Sequence, residues 1–272
     1  MHETSAPAAD SPFTALSRPW RSEPHPTGAS DTAPPRGGLL LSHGFTASPQ
    51  SMLAWGKDHA ARGWDVSIPL LPGHATHWRE LAATDHSAWT EAIAAAADEL
   101  LERHETISVG GLSMGGALAL ALAEDPRRAA RIDALVLVNP ALALPRAQAI
   151  ALPVLSRVVP SIAAISGDTA NGAQEEAYDR TPLRAVEQMR RLQRRVRADL
   201  WSVTAPVLLA TSVVDHVVDP RCSDLVAARV AGPVERLSLT RSHHVATLDA
   251  EAALLFERSA EFLARRSGAA ER

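Results

Sequence analysis

A chain of 272 residues, 46% hydrophobic and 21% charged, is long enough to bury one sizeable core and has the composition of an ordinary globular protein. A formal net charge of −4 gives no electrostatic footprint for nucleic acid. The single cysteine, Cys222, rules out an internal disulfide and fits a cytoplasmic setting, and no apolar run approaches the ~20 residues a spanning helix needs.

Residues 1–36 are rich in Pro, Ala, Ser and Thr and carry little periodicity. Such a segment buries too little surface to offset chain entropy, so a disordered lead is expected, and it lacks the pattern of a signal peptide. From residue 38 short apolar segments follow one another: GGLLLSHGF, WDVSIPLL, TISVGGLS, IDALVLVNP, APVLLATSVVD and VERLSLT. Turn or glycine signals bound each one, which predicts strands. Between them, residues 50–62 form an amphipathic helix, 87–103 a helix capped by Ser87, and 114–123 a buried helix of small apolar residues. Strand and helix alternate, so the expected fold is α/β, with a mostly parallel central sheet and helices on both faces. Ligands of such sheets bind outside the carboxyl ends of the strands.

Between residues 140 and 204 the alternation stops and no strand is expected. Residues 150–165 are apolar with Pro153 and Pro160 among them. A helix then starts at Thr181-Pro182 and carries Arg190, Arg191, Arg194, Arg195 and Arg197 on a solvated face. Long excursions inside compact domains are usually functional. The expected organisation is therefore a lead over 1–36 and one domain over 37–272, with a lid inserted at about 141–203.

The stretch GGLSMGG places Ser113 in G-x-S-x-G, with a strand before it and a helix after it. A sharp strand-to-helix turn strains its apex residue and leaves no room for side chains two positions either side. It also holds the apex hydroxyl at a helix N-terminus, where negative charge is favoured. A serine hydroxyl needs a base, and the base needs an orienting acid; the expected order is Ser, acid, His. Asp215 follows the strand APVLLATS and is the expected acid, whereas Asp219 precedes Pro220 and reads as a helix cap. The last loop offers both His243 and His244 as the base, and spacing does not choose between them. Met114, next after the serine, supplies one oxyanion N–H, and Phe45 of SHGF the other. His43 lies too early in the chain to be the base and is expected to anchor its loop. His74 and His77 are close in sequence but lack a third ligand, so no metal site is expected. No phosphate loop or dinucleotide fingerprint occurs, so no cofactor is expected either.

Six stretches carry a resemblance: LLLSHGFTASPQSM, LPGHATHWRELAATDHSAW, VGGLSMGGALAL, AYDRTPL, DHVVDP and SHHVATLD. From about residue 38 onward the chain resembles the α/β-hydrolase superfamily, and within it the bacterial carboxylesterases and monoacylglycerol lipases. The resemblance implies His244 as base, Ser113 as nucleophile, Asp215 as acid, and Phe45 and Met114 as oxyanion donors. It further implies Glu175 as a contact to glycerol hydroxyls, with Glu176 adjacent, and Ile165 as an apolar lid residue. Ala75 departs from the pattern, since glycine usually follows G-H there. The activity implied is ester hydrolysis through an acyl-enzyme, most of all on monoacylglycerols, with transient lid contact at a membrane or micelle surface. The alternatives are a general carboxylesterase or thioesterase on shorter acyl chains, and a ligand-binding protein that has lost catalysis.

Overall fold

The computed structural model describes residues 13–23, 36–144, 146–164 and 166–267. Its centre is a seven-stranded sheet in the order β1-β3-β2-β4-β5-β8-β9. The strands are β1 (Trp20–Arg21), β2 (Gly38–Ser42), β3 (Asp65–Ile68), β4 (Ile107–Leu112), β5 (Ile132–Val138), β8 (Val207–Ser212) and β9 (Val234–Leu239). Only β1 runs antiparallel to its neighbour.

Alternate side chains of a strand leave opposite faces, and here both faces are apolar. Leu40, Val109, Leu135, Leu137 and Leu209 pack on one side; Leu39, Leu41, Val136, Val138 and Leu208 pack on the other. The first side is covered by α3 (His86–Leu101), α4 (Met114–Ala123) and α6 (Leu183–Asp199), through Trp89, Ile93, Leu118, Leu192 and Val196. The second is covered by α1 (Gln50–Ala61) and α8 (Ala252–Ser267), through Met52, Trp55, Leu255 and Phe262. Trp55 stacks on Phe256 and donates its indole N–H to Ser259 Oγ at 3.0 Å, which joins these two helices. From β2 the chain passes to β3 on one side, then crosses back to β4 on the other. That reversal places the loop after β2 beside the loop after β4, as open sheets place their ligand crevices.

Three expectations need correction. The lead is not wholly disordered: among residues 13–23, Trp20 and Arg21 pair with Ile68 and Ser67 of β3. Phe13 is buried, its ring edge-on to Tyr178 with centroids 5.0 Å apart. Two aromatic anchors and an unpaired sheet edge supply what the composition lacked; residues 1–12 and 24–35 lie outside the described residues. Second, the excursion between β5 and β8 does hold strands, β6 (Ser161–Ala163) and β7 (Arg180–Pro182), which pair antiparallel. Three-residue strands are too short to show periodicity. Third, Asp85 rather than Ser87 caps α3, its carboxylate accepting the Ser87 N–H at 3.1 Å. The rest of the excursion is α5 (Arg146–Val158), α6 and a short 3-10 turn, Leu200–Ser202. Two shorter helices, α2 (Trp78–Ala83) and α7 (Arg221–Arg229), complete the described α-helices, and 3-10 turns lie at Ala15–Ser17 and Ala129–Arg131.

Candidate active site

Ser113 sits between β4 and α4 with φ 57° and ψ −116°, a strained conformation for a non-glycine residue. The turn is held at both ends: the Ser113 N–H donates to Val138 O at 2.9 Å, and Ser113 O accepts the Ala141 N–H at 3.1 Å. The flanking glycines are required by close approach. A Cβ at Gly111 would lie 2.2 Å from the Gly115 carbonyl carbon, and one at Gly115 would lie 2.1 Å from Ser42 O. The second contact brings α4 against the end of β2, and a Cβ at Gly44 in the loop that follows would be in ordinary contact with Ser113 Cβ, at 3.5 Å.

Two N–H groups in this region lack an acceptor of their own. Met114 is the first residue of α4, so its N–H has no acceptor within the helix. The Phe45 N–H donates to no acceptor among the described residues. The loop carrying Phe45 is fixed by His43, which donates Nδ1–H to Gly44 O at 2.9 Å and accepts the Leu71 N–H on Nε2 at 3.2 Å. Full burial holds that imidazole neutral, with its pKa lowered to about 4. His74, packed edge-on to His43 and Trp89, is held well below the usual imidazole range by burial and by His43. His74 donates to Pro72 O, and His77 caps α2 by accepting the Arg79 N–H.

Asp215 follows β8 and is buried; its Oδ1 accepts the Val217 and Val218 N–H groups at 2.9 and 2.7 Å. Its Oδ2 accepts Nδ1–H of His244 at 2.7 Å. That bond sets the imidazole tautomer and leaves Nε2 as the free base nitrogen. His244 and Ser113 line one cleft, together with Gly44, Phe45, Leu112 and Glu175. Asp219 is placed differently: its carboxylate accepts the Arg221 N–H at 2.9 Å at the start of α7, the capping role the sequence predicts.

Sequence reasoning missed Asn139. This buried residue at the end of β5 has φ 45°; its amide donates to His244 O at 2.8 Å and to Ser212 Oγ at 3.0 Å, and its carbonyl accepts the Ser212 N–H. It therefore locks the loop of His244 to the sheet. The only available signal was an Asn-Pro pair at a strand end, which ordinarily reads as a turn.

The roof of the cleft comes from the excursion. Glu175 lies half-buried beside the cleft, its Oε2 accepting the Gly167 N–H at 3.0 Å. Burial pushes its carboxyl pKa up, against the opposing pull of that hydrogen bond and of His244. Glu176 is engaged elsewhere, accepting from Thr14 and Ser17 of the N-terminal segment. Ile165 lies outside the described residues; Ser166 beside it lines the cleft. Ala143, Leu144, Val186, Met189, Val217 and Val218 form an apolar wall. Gln193 interrupts this wall: it is buried, and its amide nitrogen has no partner among the described residues.

A family model described as serine aminopeptidase, S33 (Hydrolase_4) matches residues 33–244. The chain belongs to this family of α/β-hydrolases. It is 35% identical over 233 residues to the thermostable monoacylglycerol lipase of Bacillus sp. (strain H-257), across 85% of this chain and 92% of that protein. A solved structure from work on LipS and LipT, two metagenome-derived lipolytic enzymes, matches this hydrolase with TM-score 0.84 at 34% identity. That match covers 92% of this chain and 98% of the other. The Paleococcus ferrophilus monoacylglycerol lipase shares the fold, with TM-score 0.71 at 20% identity over 86% of this chain and 96% of that one.

Proposed function

We propose that this α/β-hydrolase cleaves carboxylic esters through an acyl-Ser113 intermediate, and that monoacylglycerols are the substrates it fits best. The observation that carries the reading is the 2.7 Å Asp215–His244 bond in a loop whose imidazole shares a cleft with the strained Ser113. In this reading His244 Nε2 takes the Ser113 proton as Oγ attacks the ester carbonyl. The Phe45 and Met114 N–H groups receive the oxyanion. The tetrahedral adduct collapses, the C–O bond to the alcohol breaks, and His244 returns the proton to the leaving oxygen. Water then attacks the acyl-enzyme by the same route, which frees the acid and Ser113. Asp215 keeps the imidazole oriented and stabilises its cation throughout.

The apolar wall suits an acyl chain, each buried methylene being worth about 0.8 kcal/mol. Glu175, on the roof beside His244, suits the free hydroxyls of a glycerol leaving group. The segment at about 141–203 acts as the lid. Its helix α5 exposes Ile150, Val154, Leu155 and Val158, an apolar face fit for transient contact with a micelle or membrane surface where such esters reside. Among the described residues no helix is long and apolar enough to cross a membrane. A cytoplasmic setting remains part of the proposal, resting on the single cysteine.

A panel of monoacylglycerols and p-nitrophenyl esters of graded chain length tests this. We expect turnover of both classes, with higher kcat/KM for monoacylglycerols, and none in Ser113→Ala. Turnover confined to thioesters or to aminoacyl peptides would overturn the assignment.

A further inference from the structure

Two histidines outside the proposed triad flank it in sequence: His216 follows Asp215, and His243 precedes His244. The fold brings both to Asp168 of the excursion. His216 Nδ1 lies 2.9 Å and His243 Nδ1 3.3 Å from the same oxygen, Asp168 Oδ1. The rings stand edge to face with centroids 4.9 Å apart, and one ligand atom from each of the three residues lies within 4.8 Å of the others. The second carboxylate oxygen is already committed, accepting the backbone N–H of His216 at 3.0 Å and of His244 at 3.3 Å. Asp168 is thus oriented by two loops, with Oδ1 directed at the imidazoles.

As a hydrogen-bonded cluster the arrangement needs both rings to carry their proton on Nδ1, the His243 contact being a long 3.3 Å. A cation makes a different use of the same atoms. With both protons on Nε2, the two Nδ1 lone pairs and Oδ1 converge as ligands. Two imidazoles and a carboxylate are a donor set that Zn²⁺ and its neighbours prefer, with bonds of about 2.0–2.2 Å, whereas Mg²⁺ prefers oxygen alone. The backbone N–H groups on Oδ2 provide the outer support that carboxylate ligands usually have. His216 is exposed to solvent, which gives an ion a route in and a water a fourth position.

We propose that Asp168, His216 and His243 form a binding site for a borderline divalent transition-metal ion, with Zn²⁺ as the type case. None of the three lines the cleft, so the ion is a strut and takes no part in the ester chemistry. It ties the excursion to the two loops that carry Asp215 and His244. Asp168 O already accepts the Val245 N–H at 3.0 Å, and the preceding residue, Gly167, holds Glu175, so occupancy stiffens the join between roof and floor.

The test is calorimetric titration of EDTA-treated, tag-free full-length protein with ZnCl₂ alone, paired with Tm. We expect one equivalent bound at micromolar or tighter Kd, and a Tm raised by several degrees at ~100-fold excess over Kd. His216→Ala and His243→Ala should each weaken binding at least about ten-fold and abolish the Tm rise, whereas His77→Ala should do neither. Co²⁺ should give visible bands of tetrahedral intensity that His216→Ala loses. His216 lies at the surface, so His216→Ala should stay folded and keep metal-free p-nitrophenyl ester turnover. Absence of binding at millimolar Zn²⁺, unchanged binding in both variants, or equal binding of Mg²⁺ would each overturn the proposal. Because the readout is metal binding, the result is independent of the ester-hydrolase reading.

Discussion

Beneath the cleft the groups are tied to the sheet by short backbone bonds; above it they hang from a segment with its own small ribbon. Ser113 is fixed by Val138 and Ala141, Asp215 by two N–H groups, and His244 by Asn139. Glu175, in the roof, has one such bond, from Gly167, and the roof helix α5 turns four large apolar side chains to solvent. The difference teaches a division of labour. A rigid floor suits charge development at fixed positions, which rewards preorganisation. A roof drawn from a separate segment suits the choice of substrate and the reception of an acyl chain.

Substitutions in the floor should therefore remove chemistry or stability, and those in the roof should change preference. The largest effect is expected from Ser113→Ala, a loss of roughly 10⁴–10⁶ in kcat on every ester, read in a steady-state assay. Next is Gly115→Ala, whose Cβ would meet Ser42 O at 2.1 Å and His43 O at 2.8 Å. Separating α4 from that loop should cost about 3 kcal/mol, seen as a Tm fall of roughly 6–12 °C, and should displace the oxyanion N–H groups as well.

Glu124, at the end of α4, sharpens the comparison by pH. Burial first, then repulsion by Asp199, raises its pKa from 4.5 to about 8, with Arg195 opposing. Between those values the folded protein holds a proton that the unfolded chain has released, so this group's stability is present below pH 4.5 and lost as pH rises through 8. Glu124→Gln should leave Tm unchanged near pH 4.5 and raise it progressively up to about pH 8. A uniform gain at all pH values would contradict the buried-carboxyl account.

In the roof, Glu175→Ala should lower kcat/KM for monoacylglycerols about ten-fold, the worth of one hydrogen bond to a charged group, and spare p-nitrophenyl esters. Equal losses on both would remove the roof's part in selection. The smallest effect belongs to Ala75, in the loop under Tyr178. Its φ of 52° is a conformation that suits glycine, so Ala75→Gly should raise Tm by about 1–3 °C without changing turnover.

The same contrast explains what was legible in the sequence. Parallel strands β2, β3, β4, β5 and β8 announced themselves because burial on both faces writes apolar runs such as LLL at 39–41, whereas β9, at the sheet edge, is largely half-exposed. Ser113, Asp215 and the His243–His244 pair follow from the elbow and from chain order; the choice of His244 needed the family resemblance, and the structure places it on Asp215. Strand β1 and the β6–β7 ribbon were invisible, since two or three residues carry no period. Asn139 and the Asp168–His216–His243 cluster were invisible for another reason. Their partners lie 105 residues away for Asn139 and 48 for Asp168, and only the fold brings them together.

The central claim is that the floor delivers one activated hydroxyl, that of Ser113. Rapid quench of the full chain with a p-nitrophenyl ester, followed by peptide mass analysis, tests it most directly. The account predicts a single acyl group on the peptide bearing Ser113, absent after Ser113→Ala. An acyl group on any other residue, or product release with no acylated intermediate and undiminished turnover in Ser113→Ala, would contradict it.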